Sequence, residues 1–145
     1  METVIRPLQD SDIEVLSAIE AASFSMPWSP QDFRDLLKHD YCMYLVAEEN
    51  GEVIGCAGLT NSFNEGNIDN VVVAEAHRGR GVATLLLREL IRRGEADGIE
   101  AFTLEVRVSN LPAIHVYEKL GFVSEGIRPR FYEKPTEDAM IMWRR

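Results

Sequence analysis

Eight consecutive residues, His77-Arg78-Gly79-Arg80-Gly81-Val82-Ala83-Thr84, have the composition of an anion-binding turn. They lie between a β-rich run and the first turn of an amphipathic segment. Gly79 and Gly81 let the backbone turn tightly and approach a ligand, and the helix that follows aims its free N–H groups at a phosphate or pyrophosphate. Arg78 and Arg80 concentrate positive charge in a chain of formal charge −9, against the overall field. A plain glycine turn whose arginines pair with nearby acids is the competing reading. Glu105 is the second residue of interest. It interrupts the run Ala101 to Val108 on the face opposite the row Phe102, Leu104, Val106 and Val108, and a carboxylate in a central strand is costly unless paired or solvated. It is a candidate general base, or else the partner of a cation such as Arg107. Tyr117, two helical turns after Asn110, is a candidate proton donor or a core tyrosine with its hydroxyl at the surface.

Several phosphate chemistries are excluded at once. No Gly-x-x-x-x-Gly-Lys-Ser/Thr string exists, so the turn is not that of a P-loop nucleotidase. A dinucleotide fingerprint is nearly matched by Gly79-x-Gly81-x-x-Thr84, but the acid that should end the next strand is missing. Glu100 precedes that strand instead, and half of the domain lies before the loop. His39, His77 and His115 have no metal-ligand spacing, so no metal is expected. Cys42 and Cys56 form no framework and have no cationic neighbour in sequence to activate a thiolate, which argues against a covalent route and suits a reducing cytosol.

These groups need a scaffold, and the punctuation of the sequence supplies one. Val4-Ile5 opens a short strand, and Ser11-Asp-Ile-Glu14 has capping-box spacing ahead of Ile13, Leu16 and Ile19. Ser29 and Pro30 start a second helix with Phe33, Leu36 and Leu37 as its apolar stripe. An apolar loop, Phe24-Ser-Met-Pro-Trp28, joins the two. Tyr41 to Glu48 and Glu52 to Thr60 flank Asn50-Gly51, a type I′ hairpin signal, and Asn67 to Val73 is a further strand. Val82, Leu85, Leu86 and Leu90 mark a long helix ending near Asp97-Gly98. After the strand bearing Glu105, Asn110 caps a short helix with Ile114, Tyr117 and Leu120, and Gly121 ends it. Phe122 to Ile127 and Ala139 to Trp143 close the chain as a hairpin around Arg128 to Asp138. The prediction is a single α/β domain over residues 1–145, a mixed, mostly antiparallel sheet flanked by about four helices. At 145 residues, 46% of them apolar, one core and no second is expected. No basic-then-apolar leader and no run near the roughly 18 apolar residues of a membrane span is present, so a cytoplasmic protein without membrane contact is expected. The acidic balance disfavours direct nucleic-acid binding and favours a basic partner. Nothing in the sequence fixes an oligomeric state.

Read as Arg78-x-x-Gly81-x-Ala83, the loop resembles the acyl-CoA pyrophosphate loop of the GNAT N-acetyltransferase superfamily. Asn110-x-x-Ala113-x-x-x-Tyr117-x-x-x-Gly121-Phe122 resembles its second signature, and the order of elements matches from Val4 to Trp143. Four strings narrow the resemblance to the bacterial ribosomal-protein alanine N-acetyltransferases. They are Phe24-Ser-Met-Pro-Trp28-Ser, Leu104-Glu105-Val106-Arg107-x-Ser109-Asn110, Tyr117-Glu-x-Leu120-Gly-Phe122, and Arg128-x-x-Phe131-Tyr132 followed by Glu137-Asp138-Ala139-x-x-Met142. Asp69-Asn70-Val71-Val72-Val73 departs from the Asn-Ile-Ala-Val type string more usual there, which touches substrate identity rather than catalysis.

The resemblance implies acetyl-CoA as co-substrate, with Arg78, Gly79, Arg80, Gly81, Val82, Ala83 and Thr84 at the pyrophosphate. It places the backbone of Val71, Val72 and Val73 and the side chain of Asn110 at the pantetheine arm. Glu105 would be the base, Tyr117 the acid, and a backbone N–H of Val71 to Val73 the carbonyl's donor. The implied reaction is acetylation of a protein's N-terminal amine, that of an alanine on a small-subunit ribosomal protein, by direct attack in a ternary complex. A polyamine-like small amine as acceptor, a non-catalytic acyl-CoA-binding module and a nicotinamide enzyme are the alternatives. Phe24, Met26, Trp28, Phe131 and Tyr132 could wall a peptide groove, and Glu125, Glu133, Glu137 and Asp138 could attract a basic N-terminal segment.

Overall fold

Asn50 and Gly51 both take positive φ, 54° and 79°, which is the backbone a type I′ turn demands. The computed structural model describes residues 2–145. The turn joins β2 (Cys42–Glu49) to β3 (Glu52–Ser62) in the antiparallel pair the sequence predicts, and β1 (Thr3–Pro7) lies on the far side of β2. Then follow β4 (Glu65–Val73), β5 (Ala101–Arg107), β6 (Val123–Tyr132) and β7 (Glu137–Arg144). The sheet has seven strands in the order β1-β2-β3-β4-β5-β7-β6, and only β4 and β5 run parallel. One face is covered by α1 (Ile13–Ser23) and α2 (Pro30–Leu37), through Ile13, Leu16 and Phe33. The other is covered by α3 (Val82–Ala96) and α4 (Leu111–Lys119), through Leu86, Leu87, Leu90 and Ile114. The predicted class therefore stands, with four α-helices on a mostly antiparallel sheet.

Some boundaries differ for local reasons. The capping carboxylate ahead of α1 is Asp12 rather than Glu14: its Oδ2 accepts from the Gln9 N–H at 2.8 Å. Arg6 of β1 holds the same oxygen at 2.8 Å, so a buried acid with a cation wins over an exposed one. Leu37 and Leu85, counted among the apolar positions that mark their helices, are each 43% exposed, because the helices are phased to bury Phe33 and, in α3, Leu86, Leu87, Leu90 and Ile91. β4 starts at Glu65, two residues early, because Glu65, Gly66 and Asn67 pair with Ala101, Phe102 and Thr103. The last hairpin is longer than predicted. β6 reaches Tyr132 across a register shift after Arg128, where Asp138 Oδ1 accepts from the Arg130 N–H at 3.0 Å.

Gly58 of β3 marks a close approach. A Cβ there would lie 2.2 Å from the Tyr44 ring, and that ring cannot retreat, because Trp28 and Phe33 flank it at 5.8 and 6.5 Å. Overpacking of this kind costs about 3 kcal/mol. Gly58→Ala should therefore lower the melting temperature by roughly 6–12 °C in a scanning calorimeter.

Candidate active site

The site begins where the sheet comes apart. β4 and β5 pair only through Glu65–Asn67 and Ala101–Thr103. Beyond that, β4 continues to Val73 along β3 while β5 continues to Arg107 along β7. Two cavities occupy the opening, and both are lined by Val71, Asn110 and Tyr117.

The smaller, about 360 Å³, lies between the end of β4, the glycine turn and α4. Gly79 and Gly81 have φ of 78° and 80°, and a Cβ on either would meet nothing within 4 Å. They are there for the left-handed backbone and not for space. Gly81 is the N-cap of α3, and no side chain caps that end. The first N–H groups of a fifteen-residue helix are thus left for a ligand. Val71, Val72, Val73, Arg78, Gly79, Gly81, Val82, Ala83, Thr84 and Asn110 all line this cavity, as the sequence reading grouped them. Arg80 does not. Its guanidinium lies 2.8 Å from Glu49 Oε2 and 2.9 Å from His77 Nδ1, and it holds the Glu49 carboxyl below the usual range. Arg78 is also engaged, donating to the Val73 carbonyl at 2.9 Å and the Ser23 hydroxyl at 2.8 Å. The arginines brace the turn, and the backbone N–H groups at the start of α3 are the donors that no side chain caps.

The larger cavity, about 730 Å³, has Glu105 in its wall together with Phe24, Met26, Trp28, Phe131 and Tyr132. Glu105 is 20% exposed at the side chain, and its only cation within reach among the described residues is Arg128 at 3.9 Å. Arg107 is not its partner. It binds Glu137 at 3.2 Å and the carbonyls of Pro135 and Glu133 at 2.9 Å each, and lies over the Tyr132 ring. The Glu105 carboxylate therefore faces the cavity with Arg107 committed elsewhere. Tyr117 is buried, edge-on to Phe122, and its hydroxyl makes no hydrogen bond among the described residues. Burial pushes its pKa up to about 12, so it stays protonated and able to donate. Asn110 caps α4 as predicted, its Oδ1 accepting from the Ala113 N–H at 3.3 Å.

Of the acids read as attracting an acceptor, only Glu133 lines the cavity. Glu125 pairs with Arg145, Glu137 accepts from the Ser109 N–H at 2.8 Å, and Asp138 holds the β6 bulge. Their cations and donors come from other elements, which composition cannot reveal. The cavity's edge is instead formed in part by Asp69 and Asn70, with the fully buried Glu20 bonded to Asn70, none of which the sequence reading singled out. Asp69 accepts from Tyr44 and from the Thr60 hydroxyl at 2.7 Å, and desolvation raises its carboxyl above the ordinary range. Glu20 had a legible signal: with Ile13 and Leu16 it falls at i, i+3, i+7, on the apolar stripe of α1. Neither cysteine lines either cavity, and burial pushes both thiols up. His77 lines the smaller cavity, His39 stacks on Tyr41, and no metal-holding cluster exists among the described residues.

The family model described as Acetyltransferase (GNAT) family matches residues 13–122. The chain is 32% identical to the ribosomal protein bS18-alanine N-acetyltransferase of Haemophilus influenzae over 97% of both chains. It is 32% identical to the Escherichia coli K12 protein of the same name, covering 95% of this chain and 94% of that one. The crystal structure of the ribosomal-protein-S18-alanine N-acetyltransferase from Escherichia coli superposes with a TM-score of 0.91 at 30% identity, over 99% of this chain and 93% of that one. Likeness of this extent, on a sheet that splits where two cavities meet, makes the chain a member of the GNAT acetyltransferase family and an N-acetyltransferase that uses acetyl-CoA.

Proposed function

We propose that this enzyme acetylates the N-terminal amine of a protein, the N-terminal alanine of ribosomal protein bS18, by direct attack in a ternary complex in the cytoplasm. The observation that carries the reading is the junction of the two cavities at Val71, Asn110 and Tyr117, with Glu105 in the cavity that lacks the glycine turn. The names of the full-length relatives support the acceptor. So does the wall of the larger cavity, which runs from Phe24 on the loop after α1 to Phe131 near the end of β6.

The residues present fit acetyl-CoA. The uncapped N-terminus of α3 and the Gly79 and Gly81 backbone suit a pyrophosphate, and the apolar wall of Val71, Val72, Val73, Ala113 and Val116 suits a pantetheine arm. When bound, the co-substrate supplies an acetyl thioester. The chain's part is then fourfold. The β4 backbone over Val71 to Val73 holds the thioester carbonyl, and the larger cavity holds the amine. Glu105 accepts the proton that the amine loses as the new C–N bond forms. Tyr117 gives its proton to the sulfur as the C–S bond breaks. An α-amine with a reference pKa of about 8 loses its proton far more readily near neutrality than a lysine at about 10.4, which suits a single carboxylate. The placement of both thiols outside the cavities favours direct transfer over an acyl-cysteine.

Thiol release from acetyl-CoA tests the proposal. An alanine-initiated peptide with the bS18 N-terminus should be turned over, and blocking its α-amine should abolish the signal even with lysines present. Turnover of spermidine but not of the peptide would replace the acceptor with a small amine.

A further inference from the structure

The end of α1 is fastened to β4 at two points, and one of them is an uncompensated buried carboxylate. Glu20 is fully buried. Its Oε1 accepts from the Asn70 side-chain amide, the Trp28 backbone N–H is directed at the same carboxylate, and Oε2 has no partner. No cation pairs with it among the described residues. Such a group costs free energy where an apolar side chain at the same stripe position would cost none, so its presence calls for a role outside the core. The second point lies one turn on, where Ser23 Oγ accepts from Arg78, which itself donates to the Val73 carbonyl. Between Asn70 and Val73 lies Val71, the β4 residue common to both cavities. From Ser23 the chain leaves as the loop carrying Phe24, Met26 and Trp28 across the larger cavity.

We infer that Glu20 is a positioning residue for the acceptor, holding the Phe24 to Trp28 loop and Asn70 of β4 at the separation in which the amine approaches. This rests on reading the larger cavity as the acceptor site. Glu20 acts through its hydrogen bonds and not by touching substrate, since its free oxygen is enclosed. Burial also pushes its carboxyl up to about 7. An acid whose pKa is higher folded than unfolded favours the protonated fold, so its contribution to stability falls as pH rises from the ordinary carboxylate range through about 7. Glu20→Gln, which keeps an oxygen for the Asn70 amide and drops the charge, should therefore fold at least as stably as the parent at pH 8.

The test is steady-state kinetics of Glu20→Leu and Glu20→Gln, varying each substrate, with whichever acceptor the parent turns over among the alanine peptide and spermidine. Glu20→Leu should raise the acceptor KM by about tenfold or more while the acetyl-CoA KM stays within about twofold, and Glu20→Gln should restore the acceptor KM to within about threefold. Asn70→Ala breaks the same tie from β4 and should give the same split, which keeps the test available if Glu20→Leu is unstable. An unchanged acceptor KM, an equal rise in both KM values, or a Glu20→Gln as impaired as Glu20→Leu would overturn the inference. Turnover of spermidine alone would overturn the peptide reading while leaving the Glu20 comparison to run on that amine.

Discussion

Glu105→Gln should lower kcat by about 10²–10⁴-fold. Glutamine keeps the volume of the side chain and the place of residue 105 in β5, opposite Ile141 of β7, so the scaffold is preserved. The ion pair it loses, to a half-exposed Arg128 at 3.9 Å, is of the kind that contributes little to stability. Glu105 lies outside the smaller cavity, so the KM for acetyl-CoA should not change. On the proposed mechanism, what disappears is the proton acceptor. The variant must then wait for amine that is already neutral, and its kcat/KM should climb with pH until the α-amine is deprotonated near its reference value of about 8. The parent, with its base in place, should show a much shallower rise over the same range. The profile therefore separates a lost base from a damaged site: damage scales the curve down, whereas loss of the base changes its shape. Full activity in Glu105→Gln near neutral pH would remove Glu105 from the mechanism.

The elements of this fold were legible because each carries its own period and stop signal. Asn50-Gly51, the Ser29-Pro30 start and the Gly121 stop act within a few residues, so no tertiary knowledge is needed to read them. The two residues proposed as base and acid stand out in the sequence for a related reason. Glu105 breaks the pattern of its strand, and Tyr117 shares a short helix with a capping Asn110. Residues whose meaning depends on distant partners were not legible. Arg78 and Arg80 look alike beside the glycine turn, yet one is bound to Ser23, 55 residues back, and the other to Glu49, 31 residues back. The first remains on the cavity wall and the second leaves it. The same holds for Glu20 and Asn70, joined across 50 residues only once α1 packs on β4, and for Glu137, which resembles any surface acid until Ser109 and Arg107 reach it. Charge in a sequence indicates that a partner is needed, and packing decides which one.

Removing a single oxygen should separate the second proton transfer from everything else the site does. Tyr117→Phe keeps the ring against Phe122, at a centroid distance of 5.9 Å, and with it the packing of α4. The lost hydroxyl makes no hydrogen bond among the described residues and lies at the wall of both cavities, so its removal strands no partner and should cost little stability. The melting temperature should accordingly stay within about 2 °C of the parent. Activity should fall by about 10²-fold, because the thiolate must leave without its donor. The fall should appear in kcat, with KM for either substrate nearly unchanged, since in the proposed mechanism the group acts only as the C–S bond breaks. Its pKa of about 12 also fixes the alkaline behaviour: a phenol held that high remains protonated through pH 10, so the parent should show no loss of kcat from this group as pH rises toward that point. A thioester with a more acidic thiol as leaving group needs less help from a donor, and should recover much of the rate in Tyr117→Phe while gaining little in the parent. If both enzymes respond to that thioester equally, the phenol is part of the wall and the proton comes from solvent.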